Sequence, residues 1–344
     1  MRIGIIFGGK SFEHEISVVT TNLIYHALNN VHQVYLLYID KKGNLKMPKE
    51  MKLERFAGKQ NFSNFNFMKK GIKKGCRKIE LDVIINCMHG INGEDGLASV
   101  VANLYDIPFV GTNHISAGSL MDKSLANAIL KDLGIKVVDT YTLLKGDEIS
   151  VPFDYPIILK PARLGSSIGI KILHNQDELK ELDNVFTFDD KIVVQPYIKS
   201  FKEINQAAYI YKGKVVTSKV EEVFKNDEIL SFVDKYIESK IEKKKVFVTD
   251  ENVVKRVSEI TEKIYKSLEL SGIVRIDYMI IDDEIFINEI NTTPGSLSYY
   301  LFNEEMLVLI ERQIYEALII YQNRRETTFS SDVLTQKNYL KKWN

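Results

Sequence analysis

The chain has 344 residues, 46 Lys plus Arg against 46 Asp plus Glu, and 45% hydrophobic residues. That length exceeds one ordinary core and predicts two or three domains, while a formal net charge of zero argues against a protein drawn as a whole to nucleic acid or an anionic membrane. No apolar stretch approaches the ~20 residues of a membrane span, the N-terminus reads as lacking a signal-peptide core, and two cysteines without ligand spacing, Cys76 and Cys87, predict a reducing cytoplasm.

In chain order, residues 2–7 read as a strand, 16–28 as an amphipathic helix, 34–39 and 83–88 as strands, 96–104 as a helix and 108–110 as a short strand. Strand–helix alternation of this kind predicts a parallel sheet wrapped by helices. Cys87 falls in the apolar 83–88 strand as a buried side chain. A basic run, Lys69, Lys70, Lys73, Lys74, Arg77 and Lys78, reads as solvated loop or helix face, as does Lys243–Lys245. One helix is expected over 116–133, holding Asp122 and Lys123. The middle third changes character: strands at 157–160, 168–173, 192–195, 204–211 and 214–220 come at hairpin spacing and predict antiparallel sheet. A helix over 253–268, a hairpin from 272 and a closing amphipathic helix over 304–323 follow, then a polar tail.

Ligands in parallel sheets bind at the C-terminal ends of the strands. Two Gly-rich turns stand there, Gly8-Gly9 and His89-Gly90-Ile91-Asn92-Gly93-Glu94-Asp95-Gly96. Gly4 to Ser11 satisfies the phosphate-loop pattern G-x-x-x-x-G-K-S, but its first glycine lies inside the strand instead of opening the loop. Lys10 is followed by Glu13 and Glu15, which would repel a triphosphate and read instead as a helix cap or a site for an ammonium group. His89 reads as a turn residue, and without further His or Cys at ligand spacing zinc is not expected.

Lys160-Pro161-Ala162-Arg163-Leu164-Gly165-Ser166-Ser167-Ile168-Gly169 joins two strands. Its Gly-Ser-Ser can turn N–H groups and hydroxyls toward an anion, with Lys160 in reach of a phosphate; the alternative is a polar hairpin loop. The richest stretch is GIVRIDYMIIDDEIFINEINTTPG, from Gly272 to Gly295. Residues two apart on a strand share a face, which groups Arg275 with Asp277 and Glu289 with Asn291. An odd-numbered loop centred on Asp283 would set Asp277 opposite Glu289 and Arg275 opposite Asn291. One face would then hold hard oxygen donors suited to Mg²⁺ and a guanidinium suited to phosphate or carboxylate. A solvated hairpin face with ordinary ion pairs is the alternative.

The ordered set of these segments, with Gly8 to Glu15, Met121-Asp122-Lys123 and Asn288 to Gly295, resembles the D-alanine–D-alanine ligases of the ATP-grasp superfamily over roughly residues 1 to 320. The resemblance implies an α/β and α+β chain: an N-terminal parallel-sheet (Rossmann-like) substrate-binding domain over 1–117, two antiparallel-sheet ATP-grasp subdomains over 118–212 and 213–325 enclosing the nucleotide, and a tail over 326–344. It implies an ATP-dependent ligase that joins two D-alanines through an acyl phosphate for peptidoglycan synthesis, in a cytoplasmic homodimer without nucleic-acid or membrane partners. Two Mg²⁺, with Mn²⁺ as an alternative, would be held by Asp277, Glu289 and Asn291. Lys123, Lys160 and Lys235 match phosphate contacts and Glu203 a ribose contact. Glu13, Ser166 and Tyr236 match a closing network, Tyr236 lying at the end of a mobile loop with Asp234. Arg275 and the Gly295 N–H match an oxyanion site, and His89 and Ser298 join the substrate pocket.

Three departures stand out. Gln195 replaces an acid that commonly faces the adenine amino group. Tyr300 stands five residues beyond Gly295, where the family usually has a Ser for the second substrate's carboxylate, and the Pro that usually follows is missing. A related ligase with another second amino acid, and a nucleotide-binding protein without ligase activity, are the competing expectations.

Overall fold

The computed structural model describes residues 1–58, 61–223 and 246–324. Asp234, Lys235, Tyr236, Lys243–Lys245 and the 326–344 tail lie outside the described residues. Four sheets organise the rest.

The first sheet is built on the strand Arg2–Gly8, with Gln33–Ile39 and Val83–Asn86 parallel to it on either side. Phe109–Val110 extends it in parallel, and two short antiparallel strands, Leu45–Met47 and Ser63–Asn64, close the other edge. The central strand is apolar because both its faces are covered. Ile3, Ile5 and Phe7 enter one core, Ile6 another. Gly4 is a packing glycine, since a Cβ there would lie 2.9 Å from Leu37 and 3.0 Å from Leu81. Of the basic run, Lys69 and Lys70 lie in a turn as expected, but Lys73, Lys74, Arg77 and Lys78 lie on strands, Gly71–Lys74 and Arg77–Glu80, of a small sheet with Asn66–Met68. Ile72 and Ile79 pair inward and leave the lysines outside.

A four-stranded sheet follows, in the order Tyr141–Leu144, Lys191–Pro196, Ile157–Pro161, Lys171–Leu173. It is antiparallel throughout. The 168–173 expectation shrinks to Lys171–Leu173 because the loop runs on to residue 170. The expected single helix over 116–133 is two, His114–Met121 and Lys123–Asp132. Asp122 breaks it: in extended conformation, its carboxylate accepts the N–H groups of Ser124 and Leu125 at 3.0 and 3.3 Å and so caps the second helix.

The five-stranded sheet contains, in order, Val246–Phe247, Lys214–Val223, Lys202–Tyr211, Val274–Ile281 and Glu284–Asn291. Its alternate residues, among them Ile276, Tyr278, Ile285 and Ile287, pack against the helix Glu251–Ser267 through Val257 and Ile264. The expected subdomain boundary after residue 212 falls in the turn of a hairpin whose two strands both belong to this sheet. The Met306–Asn323 helix then packs Leu309, Ile310 and Ile314 into the same core as the first strand. Among the described residues no helix is long and apolar enough to cross a membrane.

Candidate active site

The hairpin Val274–Ile281/Glu284–Asn291 turns on two residues, Asp282 and Asp283, both with positive φ (48° and 62°). A two-residue turn alone would pair Asp277 with residue 288. Instead a bulge follows Asp277: Tyr278 pairs with Ile287, but Asp277 pairs with Glu289 and Arg275 with Asn291. The expected pairs therefore form, though by an even turn plus one inserted residue, Asn288. The insertion also turns both Asn288 and Glu289 toward the cleft.

The register continues across the sheet. Asp277 pairs with Asn205 on the next strand, and Asn205 pairs with Glu221 beyond it. Residues directly opposite share a face, so Glu221, Asn205, Asp277 and Glu289 form one polar row. Within it Arg275 grips Asp277 with two parallel bonds, Nε–Oδ1 2.7 Å and Nη2–Oδ2 2.8 Å, and Asn291 Nδ2 donates to Asp277 Oδ2 at 3.2 Å. Among the described residues no three His, Cys, Asp or Glu side chains cluster as a metal site. Asp277, Glu289 and Asn291 offer two carboxylates and an amide oxygen, a donor set that fits a Mg²⁺ completed by water and substrate phosphate.

Across the cleft stand the cations. Lys123 opens its helix with its backbone N–H bound to Ala162 O at 2.9 Å. Its Nζ lies 2.5 Å from Leu164 O and 3.4 Å from Glu289 Oε1. The capping Asp122 is itself held by Lys191 Nζ at 2.9 and 3.1 Å. Lys160, next to the end of the strand Ile157–Pro161, faces the same cleft, and Gln195 and Glu203 line it too. Gln195 Nε2 donates to Thr140 Oγ1 at 2.9 Å. Apolar Val138, Ile158 and Met279 line the cleft as well; sequence inspection missed them, because an apolar residue on a strand looks the same whether it meets a core or a ring.

The 160–169 loop turns on Ser166 and Ser167, both at positive φ (53° and 61°). Ser166 Oγ donates to Glu13 Oε1, joining residues far apart in sequence. Glu13 is no cap: it begins the helix His14–Leu28 without a side-chain bond to that helix. Glu15 pairs with Lys41 at 2.5 Å on the surface. Burial first, then the Glu94 charge, raises the pKa of the Glu13 carboxyl above the ordinary value. Lys10 lies over the Gly43 turn, where a Cβ on Gly43 would come 2.6 Å from its Cε.

His89 is buried, its Nε2 2.9 Å from Thr20 Oγ1 and its Nδ1 3.6 Å from Glu94 Oε1. Thr20 Oγ1 also accepts the Ser296 N–H at 3.1 Å, which ties this turn to the loop carrying Gly295. In that loop Ser296, Leu297 and Ser298 all have φ near +50° (50°, 50°, 47°). Three consecutive left-handed residues without glycine are a strained conformation of the kind that clusters at functional sites. Ser298 is fully buried and its Oγ has no partner among the described residues. The Tyr300 O–H donates to Glu221 Oε2 at 3.3 Å. Glu94, Thr20 and Glu221 were not anticipated as site residues; only the pairing register could have brought Glu221 in.

Family models described as the N-terminus and the C-terminus of D-ala D-ala ligase match residues 2–112 and 129–308. The D-alanine–D-alanine ligase of Thermosipho melanesiensis is 34% identical, over 98% of this chain and 99% of its own. The crystal structure of the D-alanine–D-alanine ligase from Helicobacter pylori superposes with a TM-score of 0.80 at 29% identity, covering 92% of this chain and 99% of that one. That from Bacillus anthracis complexed with ATP does so with 0.67 at 25%, covering 94% and 99%. The chain belongs to the D-alanine–D-alanine ligase family.

Proposed function

We propose that this cleft makes the D-alanyl–D-alanine bond in two steps, with ATP as a substrate. A carboxylate is a poor electrophile. The first D-alanine's carboxylate oxygen attacks the γ-phosphorus of ATP and ADP leaves, giving an acyl phosphate. The second D-alanine's amine, having lost its proton, then attacks the carbonyl carbon, and phosphate departs as the C–O bond breaks.

Residue types and positions support a role for each side of the cleft. Lys123 and Lys160, with Lys235 from outside the described residues, offset charge on the nucleotide phosphates. Gln195 and Glu203 take the adenine and ribose. Asp277, Glu289 and Asn291 would hold Mg²⁺, two ions or Mn²⁺ in its stead, which supplies further charge neutralisation at the phosphates. Glu13, in its acidic corner beside Glu94, receives the first substrate's ammonium. Arg275 and the Gly295 N–H face the developing oxyanion. His89 holds the substrate-side turn through Thr20. Ser166 is the partner through which Tyr236 closes over the site and excludes the water that would hydrolyse the acyl phosphate.

For the second substrate's carboxylate the buried, unpartnered Ser298 hydroxyl is the better candidate than Tyr300, whose proton goes to Glu221. A boundary between the two ATP-grasp subdomains at about residue 200, instead of 212, is supported by both strands of the hairpin at residues 202–223 belonging to the five-stranded sheet. A homodimer is supported by the helix Leu97–Leu104, whose Leu97, Val100 and Leu104 are exposed on one side. A cytoplasmic place follows from the cytoplasmic supply of ATP.

The observation that carries the reading is the polar row of the five-stranded sheet facing Lys123 and Lys160. The test is dipeptide formation from D-alanine and ATP. One D-alanyl–D-alanine per phosphate released supports it. ATP consumed only when a different second amino acid is present replaces it with a ligase of other acceptor.

A further inference from the structure

Glu221 lies in the same row as the proposed metal ligands Asp277 and Glu289, two strands away from the first and three from the second. One of its oxygens, Oε2, accepts from both Tyr300 O–H at 3.3 Å and Asn205 Nδ2 at 3.2 Å. Asn205 is 95% buried by its 5% exposure, and its Oδ1 has no partner among the described residues. A buried amide with one end committed and the other open belongs to a polar site and not to a packed core. The phenol is equally committed. A tyrosine has one O–H to donate, and burial pushes the Tyr300 hydroxyl up to about 12, so it stays protonated near neutral pH. Arg275 and Asp277 are near enough to Tyr300 to act on its charge. The phenol is thus tied to the polar row through the Glu221 carboxylate.

We propose that Glu221, fixed by Asn205, is a positioning residue that locks the Tyr300 ring as the wall of the acceptor pocket and thereby sets which second amino acid fits. This inference rests on the ligase reading above. A free phenol on a short loop would sample several rotamers, admitting larger acceptors in some and obstructing D-alanine in others. The Glu221 bond selects one. The row geometry explains why the device uses residue 221. Glu221 stands on the site face of its strand, opposite Asn205 and one strand in from the edge, where its carboxylate reaches Tyr300 on the loop.

The experiment is steady-state kinetics with ATP, donor and acceptor varied separately, on wild type, Glu221→Ala, Glu221→Gln, Tyr300→Phe and the Ala/Phe double variant. Glu221→Ala and Tyr300→Phe should each raise KM for the acceptor D-alanine by about tenfold, the size of one hydrogen bond to a charged group. KM for ATP and for the donor should stay within about twofold. Glu221→Gln keeps an acceptor oxygen and should restore most of the affinity. The double variant should be no worse than either single one, because both remove the same bond. Relative use of D-serine and D-2-aminobutyrate as acceptors should rise in the Ala variant. An unchanged acceptor KM, or an equal rise in all three KM values with a lowered Tm, overturns the proposal and leaves the ligase reading standing. A wild-type enzyme that forms no dipeptide overturns both.

Discussion

The two sheets that meet at the cleft differ in how they present charge. The four-stranded side brings single cations from separate elements: Lys160 next to the end of its strand, and Lys123 at a helix start pinned to Ala162. The five-stranded side brings anions and amides from within its strands, in one row fixed by backbone pairing across Glu221, Asn205, Asp277 and Glu289. A lysine's flexible four-carbon stem lets its ammonium follow a nucleotide as it binds. Strand-borne ligands hold their spacing to within what the ladder permits, which is what metal coordination requires.

The sharpest way to break this comparison is to remove one rigid anion. Asp277→Asn or Glu289→Gln should lower ATP-dependent phosphate release by about 10³-fold or more, the several kcal/mol that a bound divalent ion supplies, with circular dichroism unchanged. Near-normal release from a folded variant would take the row out of the chemistry. Next comes Arg275→Lys. A point charge cannot reproduce the two-bond grip on Asp277 nor face an oxyanion in the same way, and turnover should fall about 10²-fold with ATP affinity nearly unchanged. A matching loss of ATP affinity would move Arg275 to the nucleotide side of the comparison.

Glu13 tests the corner where the two sheets and the N-terminal turn converge. Its raised pKa gives the sign. Above that pKa the carboxylate is ionised and can pair with the donor's ammonium; below it the charge is lost. Donor affinity should therefore fall on acidification at a higher pH than an ordinary carboxylate would dictate, and Glu13→Gln should weaken it by about tenfold or more and remove that dependence. Without substrate the linkage runs the other way. A carboxyl whose folded-state pKa is raised binds its proton more tightly when folded, so stability falls as pH rises through that pKa. Glu13→Gln should raise Tm by about 2 °C at pH 8, with the gain shrinking toward pH 5. Calorimetry at the two pH values decides it, and an equal gain at both would remove Glu13 from the buried acidic corner.

The smallest effect is expected where the sequence most resembles a nucleotide loop. Lys10→Ala should leave ATP affinity within about twofold, because Gly4 is packed inside a strand and Lys10 lies over Gly43. Lost ATP binding would revive the phosphate-loop reading.

Much of the site was legible because period-two spacing groups Arg275 with Asp277 and Glu289 with Asn291 whatever the turn. The route to their pairing was not. An even turn on Asp282-Asp283 and a bulge at Asn288 leave no compositional trace, since a bulge inserts an ordinary residue. Asp122 was readable as a helix cap in principle, but the apolar period on both sides of it conceals the break. Glu221 was invisible because its place opposite Asn205 depends on the Lys212-Gly213 turn and on a second irregularity between Gln206 and Ala208. The reversal at Ser296–Ser298 was equally hidden, since serine and leucine rarely adopt positive φ and no local signal announces it.

The central claim is that the strand-borne row holds the divalent ion and that Lys123 and Lys160, facing it, hold the nucleotide. Mn²⁺ binding followed by electron paramagnetic resonance, with a non-hydrolysable ATP analogue present, tests it most directly on wild type, Asp277→Asn and Lys160→Ala. The account predicts that Asp277→Asn loses Mn²⁺ while still binding the analogue, and that Lys160→Ala binds the analogue more weakly but holds Mn²⁺ once the analogue is saturating. Mn²⁺ bound equally well by wild type and Asp277→Asn would contradict it.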